Sequence, residues 1–277
     1  MNLSEMAQTL PQELVARWNH LLNYFEKQPS ALVAFSGGVD SALLCAAAYA
    51  ALGERMLAIT IHSPVESVES IEAARAHAAL IGFRHRVIEY NDLENPRFVA
   101  NPPERCYICK KARYEKLIEF AKSEGFETLV EGTNADDLDD YRPGRKAVLE
   151  LGIKSPLLEF GFSKHEIRAL LKALGLPIWN RPGAPCFATR FPYGSPVTSE
   201  GLRQIMQGET FMQELGFINV RVRHHGEMVK LEVDPAQFER LITHRQQILD
   251  FFTALGFRYI TADLAGYRRG SLNEVLK

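Results

Sequence analysis

The chain has 277 residues, 46% hydrophobic and 24% charged, the balance of a folded protein with enough length for two cores. A formal net charge of −2 provides no global basic field, which counts against nucleic acid as the partner. No apolar run approaches a membrane span, and the opening MNLSEMAQTLPQELVARW is not a secretory signal, so the expectation is a cytoplasmic protein with no membrane partner.

Leu14, Val15, Trp18, Leu21, Leu22 and Phe25 recur at helical spacing and predict an amphipathic helix. ALVAF (31–35) reads as a buried strand, and SGGVDSALLCAAAYAALG (36–53) as a loop opening into an Ala/Leu-rich helix that stops near Gly53. RMLAITIHS (55–63) and HRVIEY (85–90) predict further strands, with a helix over 67–82 between them. A helix over 111–123 precedes a fourth strand, ETLVEGT (127–133), and SPLLEF (155–160) reads as a fifth. The next helix has Ser163 as N-cap, Glu166 as its capping-box partner and Gly175 near its end. This alternation implies an α/β fold with a doubly wound parallel sheet.

Residues 177–196 hold several prolines and small residues and predict a loop. Beyond it the rhythm changes to helix (200–215), strand (219–224), strand (228–233), helix (237–255) and strand (258–262), a second, smaller α/β domain. The expected division is 1–180, a loop 181–196 carrying Cys186, and 197–277.

SGGVDS sits between the first strand and the first crossover helix. Gly37 and Gly38 let the backbone approach a ligand, and the helix start offers N–H groups to phosphate. Ser36 and Ser41 add hydroxyls, while Asp40 is suited to a magnesium ion bridging phosphates. Neither GxxxxGKS nor GxGxxG occurs, which disfavours a kinase-like P-loop and a dinucleotide fold. The bland alternative is a tight strand-to-helix turn.

Four cysteines are present, and two of them, Cys106 and Cys109, share the stretch ERCYICKKARY. In a reducing compartment a structural disulfide is disfavoured, leaving zinc, redox work, an iron–sulfur set or no role. A structural zinc wants a fourth ligand, and His62 and His165 have no ligand-like spacing to the pair. Cys186 lies in a loop, whereas Cys45, in ALLCAAAYA, reads as an inert buried thiol.

AFSGGVDS (34–41) resembles the pyrophosphate loop of the ATP-pyrophosphatase (PP-loop) superfamily, whose fold is adenine nucleotide alpha-hydrolase-like. EGTNADDLDDYRPGRKA (131–147), CFATRFPYG (186–194), VRVRHHG (220–226) and YITADLAGYRRGSLNE (259–274) resemble the LarE-type sulfur transferases. That resemblance implies an enzyme that adenylates a carboxylate of a pyridinium dicarboxylate mononucleotide and replaces AMP with sulfur, on the way to a nickel-pincer cofactor. Mg·ATP as co-substrate, a small-molecule nucleotide partner, a separate sulfur donor and a homo-oligomer, a hexamer in that family, are implied with it.

Gly132 and Thr133, at a strand's C-terminal end, fit the nucleotide crevice. Asp136 and Asp137 suit a magnesium site or a helix cap equally. Arg221 and Arg223 alternate along one strand with no acidic residue between them and suit a phosphate- and carboxylate-bearing ligand; a solvated edge strand is the alternative. Arg190 is a third anion contact. Glu209, by resemblance only, orients the cluster of arginines. The family has sacrificial members, in which the residue matching Cys186 gives up its own sulfur, and members in which three cysteines hold a four-iron four-sulfur (4Fe–4S) cluster. Cys106 and Cys109 with Cys186 imply the second kind. The competing readings are a persulfide relay on Cys186, a PP-loop tRNA thiolase, and an ATP-sensing module without chemistry.

Overall fold

A computed structural model describes residues 10–138, 143–181, 183, 186–268 and 270–276. Residues 139–142 of the 131–147 stretch, Arg269 of the 259–274 stretch, and Pro185 beside Cys186 lie outside them. The chain forms two compact units: 1–63, 68–90 and 106–184 in one, and 64–67, 91–105 and 185–277 in the other. Among the described residues no helix is long and apolar enough to cross a membrane.

The first unit is built on a parallel sheet of order β3-β2-β1-β4, from β1 (Ala31–Ala34), β2 (Met56–His62), β3 (His85–Glu89) and β4 (Thr128–Val130). Successive strand residues point to opposite faces, and both faces are covered. Ala31, Val33, Met56 and Ala58 join a core with α1 (Gln12–Glu26), α2 (Val39–Leu52), α3 (Val68–Ile81) and α6 (Lys164–Ala173). Leu32, Leu57 and Ile59 join the other core, with α4 (Arg105–Ser123) and α5 (Gly144–Glu150). Double coverage is why these strands read as unbroken apolar runs. Cys45 is fully buried in α2, and burial pushes its thiol well up, as an inert packing residue requires. α6 carries the full capping box between Ser163 and Glu166.

Three elements differ from expectation. SPLLEF is not a strand: Pro156–Glu159 forms a single helical turn, and only an isolated bridge, Lys154 to Val130, extends the sheet. Pro156 occupies the first helical position, where its fixed φ favours a helix and its missing N–H would break a ladder. α4 begins six residues early, at Arg105, so the cysteine pair lies within its first five residues rather than ahead of it. The expected helix over 237–255 is two helices, α8 (Phe238–Thr243) and α9 (Arg245–Ala254), broken at His244, whose ψ of 11° leaves the helical range.

In the second unit α7 (Ser199–Glu214) and α9 accompany a three-stranded sheet of β5 (Arg221–His225), β6 (Met228–Glu232) and β7 (Tyr259–Ala262). β5 and β6 pair as a hairpin that turns at Gly226, φ +70°, and β7 adds parallel to β6. Segments 64–67 and 91–105 belong to this unit although no shift in composition marks them.

A half-buried histidine gives the first unit a pH dependence. Thr60 Oγ1 donates to the Phe35 carbonyl at 2.7 Å, so it accepts from His85 Nε2, also at 2.7 Å. Burial, and then the nearby Arg75, push the imidazole down to about 4 from its ordinary 6.5. Between those values the unfolded chain binds a proton that the folded chain refuses, so stability falls as pH drops through this window. The urea midpoint should decline from pH 6.5 towards 4, and His85→Gln should flatten that part of the profile.

Candidate active site

The chain leaves β1 and turns through residues 36–41 into α2 at the C-terminal edge of the parallel sheet, where open α/β sheets bind ligands. Gly37 has φ +71°, and a Cβ there would stand 3.1 Å from that of Ala74 on α3. The serines close the loop on itself. Ser41 Oγ donates to the Gly38 carbonyl at 3.2 Å and accepts from Ser36 N–H at 3.2 Å. With its proton so used, it also accepts from Ser36 Oγ at 3.0 Å, and Ser36 Oγ takes the Gly38 N–H at 3.3 Å. Gly38 caps α2 without a side chain, so the first-turn N–H groups and the positive helix end remain for an anion.

The end of β4 completes this cradle. A Cβ on Gly132 would lie 2.9 Å from Ser41 N, so the strand end packs backbone to backbone on the first turn of α2. Asn134 Nδ2 donates to Asp40 Oδ1 at 3.2 Å, and Lys164 Nζ pairs with Asp40 Oδ2. Asp136 accepts the Lys164 N–H at 2.9 Å and Asp137 the Asn134 N–H at 3.2 Å, so both act as backbone caps. Asp40 is the carboxylate of this group that fits a magnesium ion, which is commonly held by one or two carboxylates plus phosphate oxygens.

Thr133, 7% exposed, donates its N–H to Glu131 Oε1 at 3.0 Å. Glu131 is buried and also accepts from Ser155 Oγ at 2.5 Å, Lys110 Nζ at 3.0 Å and Tyr114 Oη at 3.2 Å. Burial works to raise its pKa, but Lys110 and the hydrogen-bond donors outweigh it and hold the carboxyl below the usual range. Lys110 follows Cys109 on α4. Cys106, exposed, and Cys109, half-buried, stand one turn apart on one face of that helix.

The second unit gathers the other expected residues. The Cys186 carbonyl accepts from Thr189 N at 3.1 Å and Thr189 Oγ1 at 2.7 Å, so Cys186 heads the turn Phe187–Arg190. Arg190, 1% exposed, makes a two-pronged pair with Glu209 at 2.7 and 2.9 Å and donates to Thr189 Oγ1. Arg223 donates to the Thr189 carbonyl, Ser271 Oγ and Glu232. Arg223 therefore does have a carboxylate partner, one that sits on the neighbouring strand where spacing along β5 could not reveal it.

Arg221 differs from these two. It lies over the Tyr267 ring at 4.7 Å, and its guanidinium donates to the Val220 carbonyl and the Tyr267 hydroxyl. Burial, and then the neighbouring Arg190, push its pKa down, the signature of a half-buried cation in a positive field. It is the arginine of this group best suited to an anionic ligand.

Asn101, φ +54° and fully buried, ties segment 91–105 to the Cys186 loop. Its Nδ2 donates to the carbonyls of Pro192 and Ser195 at 2.7 and 2.9 Å, and its Oδ1 accepts from Arg105. Arg105 directly precedes Cys106 in the chain. Composition and spacing singled out none of Lys110, Glu131, Asn134, Lys164 or Asn101. Their available signal was adjacency to motifs, with Glu131 and Asn134 inside EGTN itself.

Residues 10–141 match the PP-loop domain family. The chain is 40% identical to an uncharacterised protein of Synechocystis sp. over 95% of this chain and 99% of that one. An uncharacterised protein of Methanocaldococcus jannaschii is 30% identical, over 93% and 98%. The pyridinium-3,5-bisthiocarboxylic acid mononucleotide synthase of Lactiplantibacillus plantarum is 34% identical over 88% of this chain and 89% of its own. The chain belongs to the LarE-type family of PP-loop, ATP-utilising sulfurtransferases. Within this LarE-type chain the first unit carries the phosphate cradle and the cysteine pair, and the second carries Cys186 and the arginines. Among the described residues no three His, Cys, Asp or Glu side chains are gathered as a ready-made metal site. The donors for a cluster are still chemically suitable: two thiols on one helical turn and a third on a loop.

Proposed function

We propose that this LarE-type protein converts a carboxylate of a pyridinium dicarboxylate mononucleotide to a thiocarboxylate, in nickel-pincer cofactor synthesis. The observation that carries the reading is the contact of Gly132 with Ser41 beside the Lys110–Glu131 pair, which ties the phosphate cradle to the cysteine helix. Mg·ATP lies on Ser36, Gly37, Gly38 and Ser41, with Asp40 as the magnesium carboxylate and Gly132 and Thr133 lining the nucleotide. The substrate carboxylate attacks the α-phosphorus, and pyrophosphate leaves on the N–H groups of the α2 N-terminus. AMP then becomes the leaving group that sulfur displaces.

Lys164, paired with Asp40, stands beside the magnesium carboxylate of this reading. Arg221 receives the anionic groups of the mononucleotide, while Arg190, Glu209 and Arg223 brace the Cys186 turn. Cys106, Cys109 and Cys186 would hold a 4Fe–4S cluster, which when bound would supply the sulfide for transfer. The protein works in the cytoplasm as a homo-oligomer and takes its sulfur from a separate donor.

Anaerobic purification with iron and sulfide analysis tests this reading. Wild-type protein should carry iron, release AMP and pyrophosphate with the pyridinium substrate, and thiolate it through repeated turnovers. Cys106→Ala should purify colourless and lose catalytic thiolation; an iron-free variant that still turns over would favour a persulfide relay and overturn the cluster assignment.

A further inference from the structure

Glu131 is shared by the phosphate loop and the cysteine helix. It is 3% exposed, and its carboxylate collects four donors: Thr133 N–H beside it, Ser155 Oγ, and both Lys110 and Tyr114 from α4. Lys110 and Tyr114 are one turn apart on that helix, so Glu131 grips a single helical face. The residue after Glu131 is Gly132, which touches the backbone of Ser41; the residue before Lys110 is Cys109.

The reach of Lys110 is also prepared. A Cβ on Gly144 of α5 would stand 3.0 Å from Lys110 Cδ, 3.5 Å from Lys110 Cβ and 3.3 Å from the Cys106 carbonyl. Gly144 thus leaves the slot through which the lysine stem runs. A surface lysine needs no such slot, and its ammonium is ordinarily free to wander. Here the stem is steered and the head ends on a buried carboxylate, an arrangement suited to holding a position.

We propose that Lys110 and Glu131 are a positioning pair that keeps the cysteine-bearing start of α4 in register with the phosphate loop, so that sulfur delivery depends on them and adenylation does not. This rests on the sulfur-transfer reading above. Neither residue acts on the reacting atoms. Their effect passes through Cys106 and Cys109; on the other side Thr133 N–H, Ser155 Oγ and Tyr114 Oη still hold Glu131, and Gly132 after it, when Lys110 is replaced.

Lys110→Met and Gly144→Ala, each in the full chain, test the pair through three measurements. These are substrate-dependent ATP–pyrophosphate exchange, thiolated product formed, and amide hydrogen–deuterium exchange over residues 106–114. Lys110→Met should lower thiolation about 10-fold or more while pyrophosphate exchange stays within about three-fold of wild type. Its amides over 106–114 should exchange faster and those of α2 should not change. Lys110→Arg should recover part of the loss. Gly144→Ala, which alters no charge and suits a helix, should shift the same readouts in the same direction by less.

Thiolation and pyrophosphate exchange falling together, or neither falling in Lys110→Met, would overturn the proposal. If wild-type protein shows no substrate-dependent exchange, the functional reading fails by itself. The amides then decide the pair, and unchanged protection over 106–114 in Lys110→Met rejects it.

Discussion

Gly132→Ala is expected to lower ATP-dependent pyrophosphate release by about 100-fold, the scale of loss when a reacting group is misplaced by about 1 Å. The backbone at Gly132 does not lie in the left-handed region, so alanine is conformationally acceptable there. The cost is steric. The new methyl would meet Ser41 N at 2.9 Å, Ser41 Cα at 3.2 Å and the Asp40 carbonyl carbon at 3.3 Å. These are backbone atoms at the start of α2 and cannot rotate aside as a side chain would, so the strand end or the phosphate loop must move. Overpacking of this kind costs about 1–3 kcal/mol, a loss of several degrees in melting temperature, and should leave a folded protein. Pyrophosphate release measured beside calorimetry checks both parts. Near-normal release from a folded variant would mean that this backbone contact does not set the loop.

The largest stability effect is expected in the second unit. Arg190 and Glu209 are a buried pair, at 1% and 7% side-chain exposure, and Glu209 also accepts the Val222 N–H at 3.1 Å. Glu209→Leu leaves a guanidinium buried without its carboxylate, and Arg190→Met leaves the reverse; each should cost about 3–5 kcal/mol. On a unit of this size that corresponds to a melting shift of about 10 °C or more. The double variant Arg190→Met/Glu209→Leu should recover most of the loss, because it removes the desolvated charges together. Urea unfolding of the two single variants and the double variant forms a cycle in which strong coupling is the expected result. Additive losses would show that the two side chains act separately. All three variants should also disturb the turn headed by Cys186, since Arg190 holds Thr189 and Thr189 holds the Cys186 carbonyl.

How much of this was legible in the sequence depended on how local the cause was. The parallel sheet announced itself because strands covered on both faces are apolar throughout, and Ser163 with Glu166 marked a helix start within four residues. SPLLEF was misread because Leu157 is buried in a one-turn helix as fully as it would be in a strand, and burial alone does not separate the two. The helix expected from 111 starts at Arg105 instead, where a backbone bond from Arg105 N–H to the Pro102 carbonyl opens it and leaves no mark in the sequence.

By itself the sequence determined the fold class, the phosphate loop after the first strand, and the buried setting of Cys45, since each depends on residues close together in the chain. Only the tertiary structure decided the partners of the charges. Arg223 found Glu232 across a hairpin, Asp40 found Lys164 across 124 positions, and Glu131 found Lys110 from another element. The physical reason is that a buried charge must be matched wherever the fold brings a partner, and that meeting is set by packing rather than by spacing along the chain.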